Sequence, residues 1–375
     1  MSDASEPKLA AAQTAALEAA RGRADSYVQE LADFVRIPSV STDTKHADDM
    51  TRAAEWLAER VRRAGVPDVN IMPTAGYPVV VGRWHAAPGA PTVVIYGHYD
   101  VQPPEPLELW KSAPFEPELR DGKLYGRAAA VSKSDFATFT FAVRALEAVA
   151  KPSQGTVELH YTYDEEFGGL LGPGWLLEQG LTKPDLMIAA GFSYEVVTAH
   201  NGCLQMEVTV QGKMAHAAVP DTGVDALHAA VTIMNALYAE NVAYKQVTSE
   251  VPGIKHPYLN IGQIEGGTNT NVVPGKVVLK LDRRMIPEEH PAEVEARIRL
   301  VIEEATAAFN RERGVSGEDA VRTDIRRLLL ANAMIPQPGN QPLVDAIQKH
   351  GQAVFGETPP AVGTPLYTDV RLYVE

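Results

Sequence analysis

The first residues that could do chemistry are His98 and Asp100, which directly follow the apolar run 91–97. Successive side chains of a strand point to opposite sides, so His98 and Asp100 share one side where this strand ends. That end is the edge at which open α/β sheets bind ligands. Asp100 could therefore orient the His98 imidazole as a ligand of a metal ion. The alternative is a histidine at a strand end beside a solvated aspartate.

Three consecutive acids, Asp164, Glu165 and Glu166, stand at the end of a second predicted strand, 156–163. Adjacent carboxylates can divide the work of hydrolysis, because one can ligate a cation while the other accepts a proton from the attacking water. An acidic turn would have the same composition, so both interpretations stay open for this segment taken alone.

The second half of the chain offers three further polar side chains. His216 lies in a turn of small residues, Asn271 lies in the Gly-rich loop 265–274, and Arg284 ends a strand pattern. Arg284 could bind a carboxylate through two parallel hydrogen bonds, which lysine does less well. The alternatives are a structural histidine and a hairpin loop with a surface salt bridge.

Composition limits the class of protein and the kind of metal site. The chain has 375 residues, which favours two to three domains, and its 34 basic and 48 acidic residues give a formal net charge of −14. It has no basic block and no apolar run of the roughly 18 residues that a membrane helix needs, so we expect no nucleic-acid or membrane partner. The N-terminus lacks a secretory pattern, and a cytoplasmic location is expected. Because Cys203 is the only cysteine, the ligands of a metal would be His, Asp or Glu.

Hydrophobic spacing predicts elements that can position these side chains. Helices are predicted at 27–35, which ends before Pro38, and at 50–61, which ends at Gly65. Strands then alternate with a helix and indicate an α/β sheet: strands 78–84, 91–97, 156–163 and 184–190, with a helix at 132–150.

A second, smaller domain is predicted inside the first. Its elements follow the order of a split βαβ, ferredoxin-like α+β unit: strand 204–211, helix 224–239, strands 258–264 and 276–283, and helix 292–309. A strand at 323–329 and a helix at 342–354 are expected to rejoin the first sheet, and 367–374 has a strand-like pattern.

Taken together and in this order, the motifs resemble the metallopeptidase and deacylase family of aminoacylase, acetylornithine deacetylase, succinyl-diaminopimelate desuccinylase and carnosinase-type dipeptidases. The matching segments cover nearly the whole chain: 37–41, His98 with Asp100, 124–127, Glu165 with Glu166, His216, 271–274, 282–284 and 368–371. The resemblance implies a catalytic α/β domain, 1–198 and 312–375, interrupted by a lid or dimerisation domain, 199–311. It also implies a homodimer, usually two zinc ions, and hydrolysis of an amide bond next to a carboxylate, in a dipeptide or another small amide substrate.

The same resemblance implies a role for each motif residue. His98 would be a metal ligand that Asp100 orients, Glu165 the general base and Glu166 a ligand of the other metal. His216, often supplied by the partner subunit in this family, would stabilise the oxyanion. The substrate would be held by Asn271 and Arg284.

Three departures from the family pattern concern the metal. Val131 stands where the family has an aspartate that bridges the two ions, 189–191 offers no ligand, and the sequence stops at Glu375 before the last histidine ligand. Two close dications need bridging negative charge. We therefore expect one zinc or other divalent ion rather than two, and Asp135 or His200 could complete its ligands.

Two further hypotheses address these departures, the first all of them and the second the missing histidine alone. The first is a metal-free homodimer that keeps the fold and binds or regulates without hydrolysis. The second is a chain that is cut short, which would explain the missing histidine but neither Val131 nor the segment 189–191.

Overall fold

The computed structural model describes residues 6–85, 89–147, 155–189, 191 and 193–374. The chain divides into two compact units, the first reaching Tyr194 and also including the chain from Leu372, and the second spanning Glu195–Arg371. Within these described ranges, no helix combines the length and the apolar character needed to cross a bilayer. The domain boundaries 1–198, 199–311 and 312–375 stay a prediction.

The first unit contains five helices and seven strands within the described ranges. Its helices are α1 (Glu6–Arg21), α2 (Ala24–Val35), α3 (Ala47–Arg63), α4 (Lys133–Glu147) and α5 (Pro173–Glu178). Its strands are β1 (Asp68–Met72), β2 (Val79–His85), β3 (Thr92–His98), β4 (Glu118–Arg120), β5 (Lys123–Tyr125), β6 (Thr156–Thr162) and β7 (Leu186–Ala189). The main sheet has the order β1-β2-β6-β3-β7, with β3 parallel to both β6 and β7.

The alternation of β6 separates an apolar face from a polar one. Leu159 and Tyr161 pack with Leu57 and Val61 of α3 and with Phe136 of α4 in one buried cluster. The intervening side chains, Glu158, His160 and Thr162, are also buried but lie on the opposite side of the strand. The predicted α/β sheet is confirmed, and it contains both parallel and antiparallel pairs.

The second unit contains the β-α-β-β-α-β order that the sequence predicts, and it has a sheet of its own. Its strands are β8 (Val196–His200), β9 (Gly202–Gln211), β10 (Ala215–His216), β11 (Tyr258–Gly266), β12 (Val272–Val273), β13 (Lys276–Met285), β14 (Arg322–Ala331) and β15 (Ala361–Thr364). Its helices are α6 (Ala226–Tyr244), α7 (Pro291–Arg313) and α8 (Gln341–Phe355). The antiparallel sheet β11-β13-β9-β14 packs on α6 and α7 through residues such as Leu204, Val208, Ile233 and Ile302.

Three expectations about the last third of the chain are wrong. The helix at 342–354, expected to rejoin the first sheet, is α8 and belongs to the second unit. The strand expected to rejoin the first sheet is β14, which pairs antiparallel with β9 in the second sheet. It does so because β13 covers only one edge of β9, and the backbone groups of the other edge need partners. The strand-like segment 367–374 contains a 3₁₀ helix, Asp369–Tyr373, and the Thr368 hydroxyl accepts a hydrogen bond from the N–H of Val370 (3.4 Å).

Three sequence predictions extend beyond the described ranges. These are the end of the helix at 132–150, residue Ala190 of the strand 184–190 and of the ligand-free segment 189–191, and the first five residues of the N-terminus.

Candidate active site

Parallel pairing of β3 with β6 brings the polar ends of both strands to one edge of the first sheet. His98 is in register with Thr162, and Glu165 and Glu166 follow in a 3₁₀ turn, 165–167. His98, Glu165 and Glu166 each offer one ligand atom, and the three atoms lie within 4.8 Å of one another. The sequence motifs that are 67 residues apart therefore form one cluster.

Asp100 organises this cluster from a fully buried position. Its Oδ1 accepts a hydrogen bond from Nδ1 of His98 (3.0 Å), and its Oδ2 accepts from the Ser41 hydroxyl (3.0 Å) and the Glu166 N–H (3.2 Å). The Ser132 hydroxyl also donates to the Asp100 carbonyl (2.9 Å). Because Nδ1 of His98 is the donor to Asp100, Nε2 is the nitrogen left to bind a cation.

The charges of the cluster perturb one another strongly. Burial alone would lower the pKa of His98, but the carboxylates of Glu165, Asp100 and Glu166 outweigh burial and raise it to about 10. Burial raises the pKa of Glu165 to about 7, against the opposing effect of His98, and burial also raises the pKa of Glu166. A carboxyl group with a pKa near 7 can accept a proton at neutral pH.

The donor set fits a divalent metal ion. His98 is only 7% exposed, and its Nε2 points to Glu165 Oε2 at 3.8 Å, which is too long for a hydrogen bond. Imidazole nitrogen and carboxylate oxygen are both atoms that bind zinc in proteins. Gln102 orients one of these carboxylates by donating to Oε2 of Glu166 (2.8 Å). The catalytic and metal-binding roles that the sequence implies for His98, Glu165 and Glu166 stay predictions.

Among the described residues, the group of three side chains close enough to share a metal ion is the cluster of His98, Glu165 and Glu166. Val131 is exposed beside α4, and Ala189 ends β7 in register with Tyr96. The two replacement ligands considered from the sequence lie in different units. Asp135 is buried in the first turn of α4, whereas His200 belongs to the second unit, where its Nδ1 donates to the Asn201 carbonyl (2.9 Å).

His216 and Asn271 are neighbours in the second unit. The two-residue strand β10 pairs with β12, and the Ala217 N–H donates to the Asn271 carbonyl (2.9 Å). Nδ1 of His216 accepts a hydrogen bond from the Ala218 N–H (3.1 Å). In the neutral imidazole the proton is therefore on Nε2, which makes that nitrogen a hydrogen-bond donor.

Arg284 is held by an acid of its own strand. Its Nε and one terminal nitrogen contact the two oxygens of Asp282 at 2.6 and 3.2 Å, and Gln205 also donates to Asp282 (3.0 Å). The other terminal nitrogen takes no part in this pair. The salt bridge considered from the sequence is therefore present, and binding of substrate by Arg284 stays a prediction.

Apart from Asp100, which the sequence placed beside His98, sequence reasoning did not identify the side chains that hold the predicted site residues in place. Ser41 and Gln102 have no chemical signature of their own, although Ser41 lies in the matching segment 37–41. Asp282 lies in the matching segment 282–284, and its pairing with Arg284 was accessible from the sequence because residues two apart on a strand share a face.

Comparison with known proteins gives consistent matches. Residues 198–310 match the model of the peptidase dimerisation domain of the M20 family. Succinyl-diaminopimelate desuccinylase of Ralstonia nicotianae is 30% identical over 299 residues, which are 72% of this chain and 72% of that protein. The enzyme of the same name from Xylella fastidiosa is 30% identical over 293 residues, which are 74% of this chain and 73% of that protein.

Solved structures share the fold at lower identity. The dipeptidase Dug1p of Saccharomyces cerevisiae superposes with a TM-score of 0.78 at 16% identity, covering 96% of this chain and 89% of that chain. Human carnosine dipeptidase 1 has a TM-score of 0.76 at 19% identity, with coverages of 96% and 88%. At these identities the likeness shows the fold alone.

Proposed function

Because the chain belongs to the M20 family of zinc peptidases and deacylases, we propose that it hydrolyses an amide bond next to a carboxylate. The substrate would be a dipeptide or an N-acyl amino acid. The observation that carries the proposal is the convergence of His98, Glu165 and Glu166 within 4.8 Å at one sheet edge. The matched desuccinylases make an N-succinyl amine the first compound to test.

In this proposal the acidic cluster divides the roles of metal binding and proton transfer. His98 and Glu166 would hold one divalent ion, zinc or another, and Asp100 fixes the imidazole through Nδ1, which leaves Nε2 available as a ligand. The ion would supply Lewis-acid chemistry, which makes water a better nucleophile and polarises the amide carbonyl. Glu165 accepts the proton of the water, and its burial keeps the pKa of this carboxyl near 7, where it can both take and return a proton.

The second unit would supply the groups that bind substrate. Nε2 of His216, which carries the proton, can donate to the carbonyl oxygen as negative charge develops there. Asn271 offers an exposed amide beside it, and Arg284 can bind the carboxylate next to the scissile bond.

We also propose a homodimer formed by the second unit. Helix α6 is apolar on its outer side as well as its core side, with Leu227, Val231, Tyr238 and Val242 all exposed. Strand β11 is an edge of the sheet and is largely exposed. An apolar helix stripe and an open strand edge are the features that a second copy would cover.

Sedimentation measures the dimer directly. Val242→Asp is expected to shift the chain toward monomer, because it places a charge in the proposed contact. Glu312→Gln, on the neighbouring helix α7, is the control. A monomeric wild-type protein, or an unchanged dimer in the Val242 variant, would contradict this interface.

The function is tested by metal content and by turnover of the metal-loaded protein. We expect about one metal ion per chain and hydrolysis of a panel of N-succinyl amino acids, N-acetyl amino acids and dipeptides. Glu165→Gln should lower kcat by at least about 100-fold while metal content is unchanged, since general-base catalysis contributes that much or more. Glu118→Gln, an exposed acid of the same unit, is the control.

Three outcomes would contradict parts of this proposal. Full turnover by the Glu165 variant would remove its role as base, and two ions per chain would contradict the single-ion site. No metal under any condition would favour the metal-free binding homodimer instead. The cytoplasmic location and the absence of nucleic-acid and membrane partners stay predictions.

A further inference from the structure

Asp135 is a buried carboxylate that lacks an adequate partner. It is 8% exposed, and within the described ranges its side chain receives one hydrogen bond, from the Ser134 hydroxyl at a long 3.4 Å, and forms no salt bridge. Burying a carboxylate is costly unless it is paired and well hydrogen-bonded. A group that compensates this charge is therefore to be expected close to it.

The backbone places Asp135 beside the acidic cluster. Its N–H donates to the Ser132 carbonyl (2.9 Å), and the Ser132 hydroxyl donates to the Asp100 carbonyl (2.9 Å). Gly97 directly precedes His98, and a Cβ built on it would lie 3.4 Å from the Cβ of Asp135. The charge of Asp135 consequently acts on both His98 and Glu165.

The cluster has too little positive charge of its own. Four carboxylates, those of Asp100, Asp135, Glu165 and Glu166, surround the single imidazole of His98. The ion pairs that these carboxylates form with side chains of the described residues are the two contacts to His98, at 3.0 and 3.8 Å. The side chain of His98 is buried, and among the described residues its Nε2 forms no hydrogen bond and lies 3.8 Å from Oε2 of Glu165. An unpaired nitrogen ligand and surplus carboxylates together point to a cation.

We propose that Asp135 belongs to the divalent-cation site that His98 and Glu166 would form beside Glu165, and that it balances the charge of the ion from the α4 side. The inference rests on the proposed function, because it assumes that this cluster binds the metal. The three ligand atoms lie within 4.8 Å of one another without Asp135. Asp135 therefore acts on the ion from outside that group.

The competing explanation is a structural role at the start of α4. An acid in the first turn of a helix is stabilised by the helix dipole, and Asp135 lies in that turn. The two explanations predict opposite effects of neutralising the side chain. A structural acid stabilises the protein without metal and has no effect on metal affinity. A charge-balancing acid destabilises the metal-free protein and raises its metal affinity.

The test is a calorimetric titration of the full metal-free chain with zinc, together with thermal unfolding without metal. Asp135→Asn is expected to weaken zinc binding at least about tenfold, as loss of residues around a metal's ligands typically does, and to leave the metal-free midpoint equal or higher. Ser134→Ala removes the weak hydrogen bond to Asp135 together with the hydrogen bond from the same hydroxyl to the Ala130 carbonyl, and keeps the carboxylate. It is the matched control and should bind zinc within about twofold of wild type. Asp135→Ser is a second variant in case the amide disturbs the helix start.

The zinc affinities and metal-free midpoints of the variants decide between the two explanations. Wild-type affinity in both Asp135 variants, with a lower metal-free midpoint, would overturn the inference and leave the proposed function standing. No zinc binding by the wild-type chain would overturn both. Weakened binding in both variants, with the Ser134 control unchanged, would support the site.

Discussion

The buried Glu158 gives a prediction whose size can be worked out from its contacts. Its carboxylate accepts hydrogen bonds from Nε of Arg83 (2.9 Å), the Thr182 hydroxyl (2.8 Å) and Nε2 of His160 (3.1 Å). Burial raises the pKa of Glu158, but the hydrogen bonds from His160, Thr182 and Arg83 outweigh burial and lower it from 4.5 to about 2. A difference of this size corresponds to about 3 kcal/mol of stability at neutral pH.

Glu158→Gln should therefore lower the free energy of unfolding of the first unit by about 3 kcal/mol at pH 7. The amide can accept from one side only, so one charge-assisted hydrogen bond is lost, which independently costs about 1.5 to 3 kcal/mol. A carboxyl whose pKa is lowered by folding stabilises above its unfolded pKa, here 4.5, and loses this effect as pH falls toward about 2. The difference between wild type and variant should shrink to about 1 kcal/mol at pH 3.

Urea unfolding followed by tryptophan fluorescence measures the free energy of unfolding of the first unit, which contains Glu158. Trp56, Trp84, Trp110 and Trp175 are the four tryptophans of the chain, and all belong to the first unit. Glu59→Gln, which removes an exposed helix ion pair, is the control and should cost less than about 0.5 kcal/mol. A Glu158 variant as stable as this control, or a difference from wild type that does not change between pH 7 and pH 3, would refute the reasoning.

Three other substitutions test separate parts of the structure. Lys133→Met removes a buried amine that donates to the carbonyls of Phe34 and Ile37. Because burial lowers the pKa of Lys133 to about 7, the stability of the wild type relative to the variant should increase as pH rises from 7 to 9. Unfolding followed by fluorescence at both pH values measures this difference, and a difference that does not change with pH would contradict the prediction. Phe309→Ala opens a cavity in the core of the second unit and should lower its free energy of unfolding by about 3 to 5 kcal/mol. Unfolding followed by far-UV circular dichroism measures this loss, and a loss below about 1 kcal/mol would mean that the core repacks. Arg284→Lys should raise KM for a carboxylate substrate about tenfold with a smaller change in kcat, and an unchanged KM would remove Arg284 from the site.

The sequence alone determined most of the elements and which side chains form the cluster at the ends of β3 and β6. Alternating apolar residues on 156–163 and helical spacing on 27–35 and 50–61 arise from local geometry, because each strand or helix must turn one side to a core. His98 and the pair Glu165 and Glu166 were readable because each directly follows such a strand. The α/β fold and the smaller inserted unit followed from the order of these elements, whereas a dimerisation role for that unit was implied by the family resemblance.

Tertiary structure decided how the elements pair and what holds each reactive side chain. Strand β14 has the same local pattern whichever sheet it joins, and only the open edge of β9 selects the second one. The hydrogen bonds of Ser41 to Asp100 and of Gln102 to Glu166 join residues 59 and 64 positions apart. The burial of Asp135 and the perturbed charges around it likewise exist only when α4 packs beside the end of β3. Local spacing specifies which side chains an element presents, whereas their partners, burial and charge depend on contacts between distant segments.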